Sequence, residues 1–468
     1  MPDSSQHTVT QTSRESERDS AFLDYYRCPV DTAAIGTQPG VSAEDGYFKF
    51  GGSIGFGRFA GGAPAAYATD ALSDVSAAAA VVNGRACLPF NLSQVATNLR
   101  QERYRRNGYN LLQKTTSASL AQRLYYLLRP LMNVAVRKHL QKLRLRDWEK
   151  IPFPQWPVDR TVDTLMEGAM RVALAAHGEP IPFVWFWPEG ASACAMMTHD
   201  VEGPSGIDFC DALMDIDDSF GIKSAFQLIP EGREETWQRT AARLRARGFE
   251  VNLHDLNHDG KLFVDRTEFL RRARRINQYA REFGCEGFRS GVMYREQDWY
   301  DAFEFSYDMS VPNAAHLEPQ RGGCCTVMPY FIGDILELPL TTVQDYTLFH
   351  ILNDYSIDLW KKQIDLIGRH HGLVSMIAHP DYIAGRRERH VYVELLRYLN
   401  ERRDRHNLWI TLPGEINRWW RNRRQMTLVH DADGWRIEGP DAHRARLAYA
   451  RLADQRVVYT VCATKLPA

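Results

Sequence analysis

The sequence predicts an α/β fold, a mainly parallel sheet wrapped by helices and curled into a barrel or near-barrel. Three observations point there. Between residues 191 and 420, short apolar runs recur at Ala193–Met197, Ser224–Ile229, Phe249–Leu253, Gly287–Arg289, Ile335–Leu338, Leu373–Ala378 and Leu408–Leu412. Stretches of helical period lie between them: Asp265–Phe283, with Phe269, Ala273, Ile276, Ala280 and Phe283 on one face, then Ile357–Arg369 and Val391–Arg403. Such alternation over about 230 residues argues strands buried on both faces, with helices outside. Reactive side chains stand where the apolar runs stop, at the strand ends where barrels build their sites.

The flanks read differently. Residues 1–20, MPDSSQHTVTQTSRESERDS, are polar and charged and are expected to be a disordered tail. Residues 21–150 read as a β-rich part followed by a helical one. Within them GGSIGFGRFAGG (51–62) lacks the following helix and downstream acid of a dinucleotide fingerprint, so it reads as turns. Residues 90–145 carry Leu, Tyr and Val at helical spacing among arginines, with a break at Pro130. That basic amphipathic stretch is expected to pack on the next domain, with peripheral docking to a membrane-bound assembly as the alternative. Prolines mark a connector over 151–190, beginning at IPFPQWPVDRT, and 425–468 reads as a small C-terminal β appendage around Asp433-Gly434.

Composition excludes several classes. Hydrophobic residues make up 44% and charged residues 25%, ordinary for a soluble globular protein. A formal net charge of -1 offers no field for nucleic acid. The arginine clusters at 271–275 and 386–389 have acids interleaved or nearby and read as solvated helix faces. The eight cysteines form no C-x-x-C pair, so neither a cysteine zinc site nor a disulfide framework is indicated. No segment approaches 18 consecutive apolar residues, and the N-terminus has no apolar core of a secretory signal. A cytoplasmic location is the expectation, and oligomeric state is not readable.

Four strand ends deliver chemistry to one rim. The first run ends in THDVE with Asp200 and Glu202, the third in HDLNH with His254 and His258, the fourth at Arg289, and a later one in IAHPD with His379. Residues four apart share a face in one helical turn, which would let His254 and His258 share a metal. Asp200 and Glu202 share a face in extended chain, so one can bind the metal while the other stays free as a base. An arginine at Arg289 would hold a carboxylate ionised and oriented. His379 would protonate a leaving group. Together these are the parts of metal-assisted hydrolysis of an amide, whose nitrogen is a poor leaving group until protonated.

With those residues in place, the chain resembles the polysaccharide deacetylases, the NodB-homology enzymes similar to carbohydrate esterase family 4. THDVE (198–202), HDLNH (254–258), FRS (288–290) and IAHPD (377–381) are similar to its motifs in order and spacing, over roughly residues 190–415. The resemblance implies a distorted (β/α)7-type barrel and a divalent metal, zinc first, with cobalt or manganese as alternatives. It implies removal of acetyl from an N-acetylated glycan or glycan precursor. Carried over by motif position, Asp200 is the base, Glu202, His254 and His258 are metal ligands, Arg289 orients the base and His379 is the acid. Asp345, in LPLTTVQDYTLF, is the candidate for tuning His379, and His199 and Asp381 are secondary candidates. The sequence departs from the family in its D-x-E spacing, which leaves open whether Asp200 or Glu202 holds the metal, and in Gly291 where a proline is usual. The rival expectations are a non-sugar C–N hydrolase on the same barrel and a catalytically inactive glycan-binding or scaffold member.

Overall fold

The computed structural model describes residues 20–107, 145, 147–231 and 234–462. Most of the helix expected over 90–145 lies outside the described residues. The chain forms two compact units. One gathers Met1–Leu111, Arg160–Gly190 and Trp419–Ala468; the other gathers Leu112–Asp159 and Ala191–Arg418. No described helix is long and apolar enough to cross a membrane.

The second unit holds a curled nine-stranded sheet. Its strands are β1 (Ala193–Val201), β2 (Ala225–Leu228), β3 (Glu250–His254), β4 (Gly287–Arg289), β5 (Tyr307–Asp308), β6 (Tyr330–Ile332), β7 (Ile335–Glu337), β8 (Leu373–Ile377) and β9 (Leu408–Ile410). Hydrogen bonding runs in the order β6-β7-β5-β4-β3-β2-β1-β8, parallel except for the β6–β7 hairpin. β9 pairs with the start of β1, on residues 193–195, and β2 takes over along 198–201. The ladder does not close between β8 and the segment after β7. Pro339, which has no N–H to donate, follows β7 there. Threonine hydroxyls span the gap instead: Thr341 Oγ1 donates to Leu373 O at 2.7 Å, and Thr342 Oγ1 donates to Ser375 O at 2.8 Å.

Helices cover the outer face: α1 (Pro204–Ser219), α2 (Glu234–Ala246), α3 (Arg266–Phe283), α4 (Asp358–Arg369), α5 (Pro380–Ile383) and α6 (Arg386–His406). α3 starts where the Asp265 side chain accepts the Glu268 N–H and ends at Gly284, whose φ of 61° closes the last turn.

Strand alternation then sorts the side chains. Ala193, Ala195, Met197 and Val201 of β1, Phe226 and Leu228 of β2, Val251 and Leu253 of β3, Phe288 of β4, and Val374 and Met376 of β8 pack in the buried core under the helices. With a period of two, Thr198, Asp200, Gln227, His254, Arg289 and Ile377 fall on the opposite, concave face.

The first unit is built on the helix Thr161–His177 and an antiparallel sheet of Ile181–Val184, Leu447–Ala453 and Arg456–Val461. The glycine-rich segment forms a hairpin in which Gly51 and Gly52, at φ 59° and 84°, turn between Gly46–Phe50 and Ser53–Gly57. Arg423 is buried and donates to the carbonyls of Val184 (2.8 Å), Tyr25 (2.9 Å) and Trp185 (3.1 Å).

Candidate active site

Asp200 stands at the end of β1 and is 2% exposed. Its Oδ1 accepts from Arg289 Nη1 at 2.7 Å. The guanidinium is itself fully buried, donating to Thr198 Oγ1 at 2.8 Å and Met309 O at 3.0 Å. Burial alone would raise the carboxyl's pKa; Arg289, then His254 and His379, outweigh it and hold Asp200 below the usual carboxylate range. Asp200 is therefore ionised at neutral pH.

Glu202 follows just past β1. Its Oε1 lies 3.0 Å from His258 Nε2, 3.6 Å from His379 Nε2 and 3.7 Å from His254 Nε2. Burial opposes its charge, and His258 and its neighbours outweigh burial, holding it well below its ordinary value. The ligand atoms of Glu202, His254 and His258 all lie within 4.8 Å of one another.

These residues fit a divalent metal ion. His254 Nδ1 faces the Arg289 carbonyl at 3.1 Å, which places the ring proton there and leaves the Nε2 lone pair turned toward Glu202. The Nε2 atoms of His254 and His258 are buried and have no hydrogen-bond partner among the described residues. Two imidazole nitrogens turned toward one carboxylate oxygen are a common catalytic donor set.

His254 and His258 do not share a helical turn. β3 ends at His254, and the chain continues as a tight loop with Asp255 at φ 56° and His258 at φ 58°. Asp, Asn and His tolerate this left-handed region better than most residues, and DLNHDG favours the turn over a helix. The loop still brings the two rings to 4.8 Å between centroids. Gly291 lies against this loop: a Cβ there would come 2.5 Å from Asp255 Oδ2 and 3.0 Å from His258 Cδ2. Its missing side chain lets the Arg289 strand approach His258.

His379 follows β8. Its Nδ1 donates to Asp345 Oδ1 and its backbone N to Asp345 Oδ2, each at 2.6 Å. One carboxylate thus fixes both the ring and the chain carrying it. Burial disfavours the imidazolium, but Asp345 and then Glu202 outweigh it and raise the His379 pKa well above its ordinary value.

Two secondary candidates lie elsewhere. His199 falls on the helix-facing side of β1, where Nε2 meets Asp217 Oδ2 at 3.1 Å and Nδ1 meets Ala378 O at 2.8 Å. Asp381 accepts from Ser205 Oγ (2.7 Å), Gly206 N (3.0 Å) and Gly203 N (3.1 Å), and so clamps the loop behind Glu202 at the start of α1. Sequence reasoning missed Thr198 and Tyr382. Thr198 was findable, since it stands two residues before Asp200 on the same strand face. Tyr382 puts its ring 4.9 Å from that of His379 and beside Tyr346 and His350; no sequence pattern marked it.

No family model and no curated protein sequence matches the chain. Solved structures similar to it include a putative polysaccharide deacetylase from Mycobacterium smegmatis, at 16% identity and a TM-score of 0.41, over 51% of this chain and 93% of that one. An allantoinase, Puue, is 12% identical with a TM-score of 0.41, over 50% and 92%. A CE4 family pseudoenzyme from Bacillus anthracis is 13% identical with a TM-score of 0.32, over 48% and 65%. A fold does not fix a function, so the site's own geometry carries the chemistry.

Proposed function

We propose that the chain is a metal-dependent hydrolase that removes acetyl groups from N-acetylated sugars of a polysaccharide or glycan precursor, an enzyme of the polysaccharide deacetylase type. The observation that supports this reading is the convergence of Glu202, His254 and His258 beside two carboxylate-anchored groups, Asp200 on Arg289 and His379 on Asp345. Glu202, His254 and His258 would hold a divalent ion, zinc by preference for this donor set, and when bound it would supply Lewis acidity toward the acyl carbonyl and water.

The chain's own groups carry the protons. Asp200, kept ionised by Arg289, takes a proton from the attacking water. Oxygen bonds to the acyl carbon as the C–N bond breaks. His379, kept protonated by Asp345, donates to the departing nitrogen, so acetate and a free amine leave. In this division Glu202 is the carboxylate ligand, because its Oε1 lies 3.7 Å from His254 and 3.0 Å from His258, whereas Asp200 gives Oδ1 to Arg289 and keeps Oδ2 3.9 Å from His254.

The test is acetate release from N-acetyl sugars by protein of known metal content, with and without chelator. Stoichiometric metal, lost in His254→Ala, and acetate release abolished by chelator and by Asp200→Asn are expected. Protein that binds no metal, or hydrolyses small cyclic amides but no N-acetyl sugar, overturns the reading.

A further inference from the structure

Along β1 the positions that face the helices read Ala193, Ala195, Met197, His199 and Val201, and His199 is the polar member of that apolar row. It is fully buried, as are the groups that meet it. An imidazole there is costly unless its nitrogens are paired, and packing alone would be met by leucine or phenylalanine. Both nitrogens are paired. Nε2 meets Asp217 Oδ2 of α1 at 3.1 Å. Asp217 in turn accepts from the hydroxyl of Tyr392 on α6 and from Ser224 Oγ, each at 2.6 Å. Phe226 lies against the ring, 4.9 Å between centroids. The network holds the imidazole in one orientation.

The other nitrogen carries that orientation to the site. Nδ1 lies 2.8 Å from Ala378 O, and a carbonyl only accepts, so Nδ1 is the donor. Ala378 O and the His379 N–H belong to one planar peptide unit. Asp345 Oδ2 accepts that N–H, and Asp345 Oδ1 accepts from the His379 ring. A single peptide plane is therefore held at its oxygen by His199 and at its nitrogen by Asp345. Asp345 alone would leave the plane free to pivot about its N–H; the bond from His199 removes that freedom. On the preceding residue, Ala378 N donates to Thr198 O at 3.0 Å, next to His199 itself.

We propose that His199 is a positioning residue for the acid of the reaction. Through the Ala378 carbonyl, and backed by Asp217, Tyr392 and Ser224, it fixes the peptide that aims His379 at the departing nitrogen. The proposal rests on the deacetylase reading and adds to it a buried residue that reaches the reaction only through the backbone. A small misplacement of such a group is enough to slow a reaction by orders of magnitude.

The test compares the full metal-loaded chain with His199→Phe and His199→Asn, whose amide can still donate to Ala378 O. Substrates are N-acetylated chitotetraose, whose nitrogen must be protonated to leave, and 4-nitrophenyl acetate, whose phenolate leaves unaided. In His199→Phe, kcat on the amide is expected to fall at least about tenfold, with KM within about twofold, bound metal unchanged and the ester rate within about threefold. His199→Asn should recover at least about threefold of the lost amide rate. A parallel fall on amide and ester, an unchanged amide kcat, or an Asn variant no better than Phe overturns the proposal. If His199→Phe does not fold, Tyr392→Phe decides: a drop of at least about threefold in the amide-to-ester ratio supports the proposal, and an unchanged ratio overturns it. If wild type cleaves no N-acetyl sugar, the deacetylase reading fails by itself. Amide hydrogen exchange then decides the positioning: His379 N–H exchange at least about tenfold faster in the variant, with that of Leu253 unchanged, supports it, and no acceleration or an equal one overturns it.

Discussion

Arg289→Met removes the cation on which the proposed base depends. The guanidinium is fully buried, and its bond to the buried Asp200 is 2.7 Å long. Breaking such a pair by removing one partner typically costs about 3–5 kcal/mol, because the remaining charge stays buried without compensation. At about 1.4 kcal/mol per factor of ten, that lowers the folding constant by on the order of 10² to 10⁴. Asp200 has a folded pKa below its unfolded value, so its stabilisation is present above the ordinary carboxylate pKa and is lost as pH falls through the folded one. The gap between wild type and variant should therefore be largest at pH 7 and shrink in acid. Urea unfolding of wild type, Arg289→Met, Asp200→Asn and the double variant forms the cycle. The double variant should lose less than the sum of the singles, by at least about 1 kcal/mol. Additivity within about 0.5 kcal/mol at pH 7 refutes the coupling. Acetate release adds a second readout: in Arg289→Met, burial lifts the Asp200 pKa, and the acid limb of the pH profile moves upward.

Asp345→Asn removes the carboxylate that holds both the ring and the backbone of His379. Turnover should fall by about 10²-fold or more with the alkaline limb shifted to lower pH, read from kcat against pH. Glu337 is buried beside Asp308, and burial first, then Asp308, raises its pKa well above the carboxylate range. Its contribution is full below the ordinary carboxylate pKa and is lost as pH rises through the folded value, so Glu337→Gln should gain stability over wild type between pH 5 and pH 9 in urea melts. A pH-independent difference would count against it. In the first unit, Arg423→Met strips donors from the Tyr25, Val184 and Trp185 carbonyls, and a loss of about 3 kcal/mol is expected by urea unfolding.

Much of the sheet was legible because its strands are buried on both faces. All seven expected apolar runs overlap strands, since parallel strands under helices need unbroken apolar sequence. The two-residue strand Tyr307–Asp308 and the β6–β7 hairpin partner Tyr330–Ile332 are too short to leave a period. The spacing of His254 and His258 was read correctly as proximity and wrongly as helix. Four residues can return on themselves through a left-handed loop as well as through a helical turn, and spacing alone does not separate the two.

Which side chains end strands, and which of them share a face, the sequence determined by itself, because alternation along a strand is local covalent geometry. That parity placed Thr198 and Asp200 together and turned His199 away. What only the tertiary structure decided is distance across the sheet. Arg289 must reach over β3 and β2 to meet Asp200, Asp345 must find His379 from 34 residues away, and Gly291 must leave room for His258. It also decided which charges are paired: both arginine runs look alike in sequence, and only packing showed Arg271, Arg272 and Arg275 of one paired with carboxylates and Arg387 and Arg389 of the other lying on aromatic rings. Such contacts depend on sheet curl and helix packing summed over the whole unit, which no window of sequence contains.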